Sequence, residues 1–277
     1  MRELPERMTI LDRIITEKRV EVAQRRMQVS EQALATSPLF NRAVNSAVAA
    51  IRATDSTGVI AEFKRKSPSK GLINGTADVA ATTSGYVRAG AACLSVLTDE
   101  PFFGGTPADL QAARTANPLT PILRKDFVID AYQLLEAKAW GADLVLLIAA
   151  CLSSDEVRHL SHFAHQLGLE VLLEVHDAEE LDRTLCDTVD LVGVNNRNLK
   201  TFETSVETSI ELIRQIPDSF VRVTESGLHD AQTIHRLRMA GYEAFLIGEA
   251  FMKTTAPEVA LATLVDQLNK QNSTITN

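Results

Sequence analysis

The sequence predicts a closed (β/α)8 TIM barrel with an extra N-terminal helical extension. Short Val/Ile/Leu-rich runs recur eight times, at 59–63, 93–97, 121–125, 143–148, 170–175, 190–194, 220–224 and 243–247. Each is bounded by turn signals, as parallel strands buried on both faces are. Helix starts and stops lie between them, so strand and helix alternate along most of the chain. An open doubly wound sheet is the structural alternative. It would carry a glycine-rich dinucleotide turn after its first strand, and KRKSPSKG (64–71) is not one.

Taken in order, the elements fit that frame. TILDRIITEKRVEVAQRRM (9–27) has apolar residues at helical spacing, and Thr9 with Asp12 is a plausible cap. We read it as a helix that leads into the barrel and covers one end of it. Thr106-Pro107-Ala108-Asp109 places a capping residue, a proline at the first helical position and a carboxylate in the first turn. Ser153 with Glu156, and Asp177 with Glu180, have capping-box spacing. Gly90, Gly141, Gly168 and Gly241 sit where helices end before the next strand. Residues 1–50 are expected to form the extension and 51–270 the barrel, within a single domain. The polar tail KQNSTITN (270–277) is expected to fray.

Composition removes several function classes. The formal charge is −8 and aromatics are only 5 %, which argues against a phosphate-backbone binder or a base-stacking platform. The N-terminal MRELPERMTILDR lacks an apolar signal core, and no run approaches a membrane span, so a cytoplasmic protein is expected. Cys93, Cys151 and Cys186 are odd in number and scattered, and read as reduced core residues. His159, His162 and His165 recur at a spacing that drifts around a helix, outside the barrel. His176 lies two residues after Glu174 and so could face the mouth, but reads rather as the start of the next helix beside Asp177. Trp140 reads as packed at a helix end. No zinc, Walker or serine-triad signature is present, so no metal and no cofactor are expected.

Chemistry in a parallel barrel sits at the C-terminal strand ends, and there the polar residues collect. Ile60, Glu62 and Lys64 share one face by the strand period of two, as do Leu123 with Lys125, Leu172 with Glu174, and Asn195 with Arg197. If those faces point inward, two lysines, two carboxylates, an amide and a guanidinium meet in one mouth. Burying them together costs too much unless they pair or meet a charged ligand. Ser226-Gly227 after strand seven and Gly248 after strand eight offer backbone N–H groups near helix starts, the usual phosphate position in this fold. With Ser67, the basic loop KRKSPSKG then reads as part of an anion-binding rim, with Lys64 reaching inward and the other bases partly solvated.

The strand-end stretches IAEFKRKSPSKG, LSVLTDEPFFGG, PILRKDFVIDAYQ, LLEVH, GVNNRNL, ESGL and LIGEAFM resemble, in order, the motifs of the indole-3-glycerol-phosphate synthase family. The resemblance covers about residues 9–255, and its EFKRKSPS and RKDF pair is specific. It implies a cofactor-free carboxy-lyase of tryptophan biosynthesis. The implied reaction closes the indole ring, decarboxylating and dehydrating the phosphorylated small molecule 1-(2-carboxyphenylamino)-1-deoxyribulose 5-phosphate. The same resemblance makes Lys125 the general acid and Glu174 a proton-handling carboxylate. Glu62 and Lys64 are the first-strand pair, with Lys64 toward the substrate carboxylate, and Asn195, Arg197 and Ser226 orient the substrate. Ser67, Gly227 and Gly248 form the phosphate pocket, while Pro68, Phe103, Phe127 and Leu199 wall the benzene ring. Glu249 stands where some relatives have serine, and only its backbone N–H is expected to face the phosphate. A monomer is implied, open to association with other enzymes of the pathway.

Lys125, flanked by Arg124 and near Lys64, is expected to have a lowered pKa. Three rivals stay open at this point. An isomerase of the same pathway would use a cysteine and an aspartate where this chain has Glu62, Lys64 and Glu174. A Schiff-base aldolase would use Lys125 as nucleophile. A catalytically dead barrel would serve as a binding module.

Overall fold

A computed structural model describes residues 9–275, except Lys200. Eight parallel strands close into a barrel in sequence order: β1 (Val59–Phe63), β2 (Cys93–Leu97), β3 (Ile122–Lys125), β4 (Leu144–Ile148), β5 (Glu170–Val175), β6 (Leu191–Asn195), β7 (Val221–Glu225) and β8 (Ala244–Ile247), with β8 pairing back onto β1. Two apolar layers hold it. Residues such as Val59, Ala61, Val96, Val145, Val171 and Phe245 point outward against the helices. Ile60, Leu123, Leu146, Leu172, Val223 and Leu246 fill the interior. This alternation is the strand period of two read on both faces.

The helices begin and end where the local chemistry dictates. Helix α1 (Ile10–Gln28) opens with a reciprocal capping box between Thr9 and Asp12. Short helices α2 (Glu31–Ala35) and α3 (Ala47–Arg52) follow, capped by Ser30 and Ser46. Among those between the strands, α4 spans Val79–Arg88, α5 spans Glu100–Phe103, α6 spans Pro107–Ala116, α7 spans Ala131–Trp140, α8 spans Ser154–Gln166 and α9 spans Ala178–Thr184. Thr106 and Ser153 close full capping boxes on α6 and α8, whereas Asp177 caps α9 through the Glu180 N–H alone. Gly141 ends α7 at φ 94°, a left-handed conformation that a side chain resists. Trp140, the last residue of α7, lies beneath the guanidinium groups of Arg124 and Arg25, at 4.3 and 5.4 Å. The final helix runs from Pro257 to Ile275, so the polar tail expected to fray is helical through most of its length; Thr276 and Asn277 lie outside the described residues.

Residues 9–52 touch the barrel at both ends. Ile10, Leu11 and Ile14 of α1 roof the mouth. Leu34 of α2 packs with Tyr132 and Ala139 of α7 on the flank. Ala47 and Ile51 of α3 then plug the floor against Ile60, Cys93, Leu144 and Val221. That plug was not foreseen, because its alanine-rich stretch has no periodicity strong enough to announce a helix. Among the described residues no helix is long and apolar enough to cross a membrane.

Candidate active site

The interior face of each strand delivers its last residue to the mouth. Above Ile60 comes Glu62, above Leu123 Lys125, above Leu172 Glu174, and above Val223 Glu225. These side chains line a cavity of about 400 Å³ at the C-terminal strand ends. Every residue singled out from the sequence lines it: Glu62, Lys64, Ser67, Pro68, Phe103, Lys125, Phe127, Glu174, Asn195, Arg197, Leu199, Ser226, Gly227, Gly248 and Glu249.

Lys125 is the hub. Its Nζ lies 2.8 Å from Glu174 Oε2 and 2.8 Å from Glu225 Oε2. Burial by itself pushes this ammonium's pKa down, but Glu174, Glu225 and Glu62 outweigh burial and hold it well above the ordinary lysine value. The lowered pKa expected from Arg124 is therefore wrong. Adjacent strand residues face opposite ways: Arg124 points outward, where it meets Asp126 at 2.9 Å and Glu136 at 3.2 Å. The two carboxylates around Lys125 diverge. Burial raises Glu174, but Lys125, together with Glu225 and His176, draws it below the usual range. Burial and the neighbouring Glu174 charge push Glu225 well above that range. The cluster thus sets two carboxyl groups, shifted in opposite directions, against one ammonium.

Asn195 fixes the far side of Glu174. Its Oδ1 accepts the Arg197 N–H at 3.0 Å, which leaves Nδ2 to donate to Glu174 Oε1 at 3.2 Å. Just after β1, Lys64 Nζ pairs with Glu62 Oε1 at 2.8 Å, and Ser95 donates to the other Glu62 oxygen at 3.2 Å. Phe103 and Phe127 meet with ring centroids 6.0 Å apart and form an apolar wall beside these charges.

After β7 the mouth is built from a turn. Ser226 and Gly227 both adopt left-handed backbone, at φ 67° and 77°. Buried Asn196 holds that turn: its Nδ2 donates to the Ser226 carbonyl at 3.1 Å, and its Oδ1 accepts from Ser209 Oγ at 2.8 Å. A Cβ on Gly227 would meet Thr204 Cγ2 at 2.8 Å, and one on Gly248 would meet Glu62 Oε1 at 2.6 Å. Gly248 is bare to leave room for Glu62 as much as for a ligand. The basic loop divides its cations. Arg65 grips Asp109 with two hydrogen bonds, at 2.6 and 2.8 Å, and Lys66 donates to the Pro101 carbonyl at 2.8 Å. Neither faces the cavity. Lys70 and Arg197 do line it, and both approach the Glu249 carboxylate, at 3.6 and 3.5 Å. The Glu249 side chain therefore enters the mouth, contrary to the expectation that only its backbone N–H would.

The chain from 11 to 264 matches the family model of indole-3-glycerol phosphate synthase. It is 50 % identical to the indole-3-glycerol phosphate synthase of Bacteroides thetaiotaomicron, over 90 % of this chain and 94 % of that one. With the enzyme of the same name from Burkholderia vietnamiensis it shares 47 % identity, over 91 % and 97 % of the two chains. The chain belongs to the indole-3-glycerol phosphate synthase family. Solved structures of low identity agree on the fold alone. The 3-hexulose-6-phosphate synthase of Salmonella typhimurium superposes with a TM-score of 0.59 at 13 % identity, over 77 % of this chain and 99 % of that one.

Two buried charged residues at or near the strand ends were not among the site residues expected from the sequence. Glu225 follows Val223 by the same period of two that selected Glu174 after Leu172, so its signal was present and went unused. Lys18 gave none. It lies on α1, 1 % exposed, with Nζ 3.0 Å from Asp99 and 2.9 Å from Asp126, and it ties the roof to the strand ends beside Lys125.

Proposed function

We propose that this mouth closes the indole ring through a division of labour among its charged side chains. The activity is the family's, a decarboxylating lyase step of tryptophan biosynthesis acting on a phosphorylated small molecule. The observation that carries the assignment of roles is the Lys125 cluster: a charged ammonium between two buried carboxyl groups, open to the cavity.

The substrate phosphate docks at the backbone N–H groups of Gly227 and Gly248 with Ser67, and the benzene ring lies on the wall of Phe103, Phe127, Pro68 and Leu199. Lys64 faces the ring carboxylate. Held this way, the ring carbon that bears the carboxylate approaches the carbonyl carbon of the sugar chain. Negative charge then develops on the carbonyl oxygen, and Lys125 delivers a proton to it. A raised pKa makes Lys125 a weak acid in bulk water, but it guarantees that the proton is present. Glu225 Oε2, 2.8 Å from Nζ, lies within reach of the same proton. Loss of carbon dioxide returns aromaticity to the ring. Glu174 then serves the proton transfers of dehydration, with Asn195, Arg197 and Ser226 orienting the hydroxyl groups. A Schiff-base role for Lys125 needs a neutral amine, which flanking carboxylates oppose.

Residues 51–270 act as the barrel that carries this chemistry and 1–50 as its extension, in one cytoplasmic monomer open to association with other enzymes of the pathway. The assay is direct. Incubation with 1-(2-carboxyphenylamino)-1-deoxyribulose 5-phosphate should produce indole fluorescence, and no signal from folded protein would refute the reading.

A further inference from the structure

His176 follows β5 on the inward parity of Glu174, and the sequence reading left it without a role. Its ring is wedged between two carboxylates. Nδ1 lies 3.1 Å from Glu180 Oε2, which also accepts the His176 backbone N–H at 2.8 Å. Nε2 is buried, has no hydrogen-bond partner at ordinary length among the described residues, and points at Glu174 Oε1 from 3.5 Å. A neutral ring donating from Nδ1 to Glu180 would turn a lone pair toward a carboxylate oxygen. An imidazolium donates to both. We propose that His176 is a positioning residue for the family reaction, held as an imidazolium between Glu180 and Glu174, and that its charge fixes the orientation of Glu174.

This inference rests on the reading of Glu174 as a carboxylate that faces the substrate. The groups around the ring agree with it. Burial pushes His176 down, but Glu180 on α9 and Glu174 on β5 raise it above the ordinary histidine value, against a smaller opposing push from Lys125 on β3. Cys151, in the field of the same two carboxylates after β4, is pushed up to about 12 by burial and so stays neutral. Glu225 on β7 lies beyond Lys125. Oxygen Oε2 of Glu174 is held by Lys125 at 2.8 Å, whereas Oε1 has only the longer approaches of Asn195 and His176. Such loose contacts tighten when substrate fills a site.

The sign follows. A raised histidine keeps its proton to higher pH, so positioning is complete below its titration and is lost as pH rises through it. Two measurements on the full chain test this. Imidazole proton–nitrogen NMR, assigned by the signals missing in His176→Gln, should show His176 titrating above the ordinary histidine value of about 6.5. Glu180→Gln should lower that titration by about 1 unit. Titration of His176 at or below that ordinary value would overturn the proposal. In the kinetic arm, His176→Gln should lower kcat about 10-fold to 100-fold with KM little changed, and should abolish the loss of kcat that the wild type shows as pH rises through the His176 titration. A purely structural residue would lower the melting temperature yet leave that alkaline limb in place, and such a result would also overturn it. If the wild type proves inactive on the family substrate, the proposed function fails, while the NMR titration still decides the state of His176.

Discussion

The two ends of the barrel bury charge in opposite ways. At the floor, Asp143 accepts the backbone N–H groups of Asn45 and Ile122, each at 2.8 Å, and meets Arg42 at 2.8 Å and Arg114 closer still. Glu170, likewise at the floor, accepts the N–H groups of Ala47 and Val48 at the start of α3, together with Ser46 Oγ. These carboxylates are saturated, largely by backbone donors that cannot move. At the mouth, Glu174 and Glu225 meet side chains only among the described residues, where Glu225 Oε1 has no hydrogen-bond partner. A buried charge with every lone pair occupied is architecture. A buried charge left partly free, in a cavity, is poised for a ligand.

Substitutions should separate the two ends. Lys125→Ala should produce the largest effect, a loss of ~10²–10⁴ in kcat, while binding of the product persists through the phosphate and ring contacts. Turnover near wild type would remove Lys125 from the chemistry. Asp143→Ala should do the reverse. Removing the carboxylate that two arginines and two N–H groups share should cost about 3–5 kcal/mol in urea unfolding, with kcat of the folded protein close to wild type. A selective loss of kcat would show that the floor is not merely architecture.

Gly227→Val should act between these extremes. It forces a β-branched residue into left-handed backbone and against Thr204, displacing the turn rather than filling the phosphate position directly. KM should rise about 10-fold to 100-fold as charge-assisted hydrogen bonds are lost, which steady-state kinetics would reveal. The smallest effect concerns the roof. Burial raises Asp126, but Lys18 and Arg124 hold its carboxyl well below the usual range. A depressed carboxylate contributes stability that is present above its unfolded value of about 3.9 and lost as pH falls below it. The stability difference between wild type and Asp126→Asn should therefore shrink as pH falls from 6 to about 3. A difference that stays constant would mean that Asp126 does not carry the linkage.

The contrast also explains what the sequence could announce. Strands, helix caps and the inward face at Glu62, Lys125 and Glu174 depend on local spacing, and local spacing is visible in one chain. Lys125 was placed correctly but given the wrong electrostatic environment. Its neighbour in sequence, Arg124, faces away, and its neighbours in space come from β5 and β7. Lys18 was invisible because its partners lie on loops after β2 and β3. Arg65 and Lys66 are partly solvated, as expected, but their partners, Asp109 and the Pro101 carbonyl, could not be named from the sequence because they reach them only through the fold. The floor plug α3 was equally silent, because its value lies in capping onto Glu170 of a distant strand.

The central claim is that the unsaturated charges of the mouth form one substrate site. A crystal structure with indole-3-glycerol phosphate bound tests it most directly. The phosphate should lie on the N–H groups of Gly227 and Gly248 beside Ser67, and the indole ring against Phe103 and Phe127 with Lys125 and Glu174 at its edge. A phosphate held by Arg65 and Lys66 on the outside of the first loop, with the ring away from Lys125, would contradict the account.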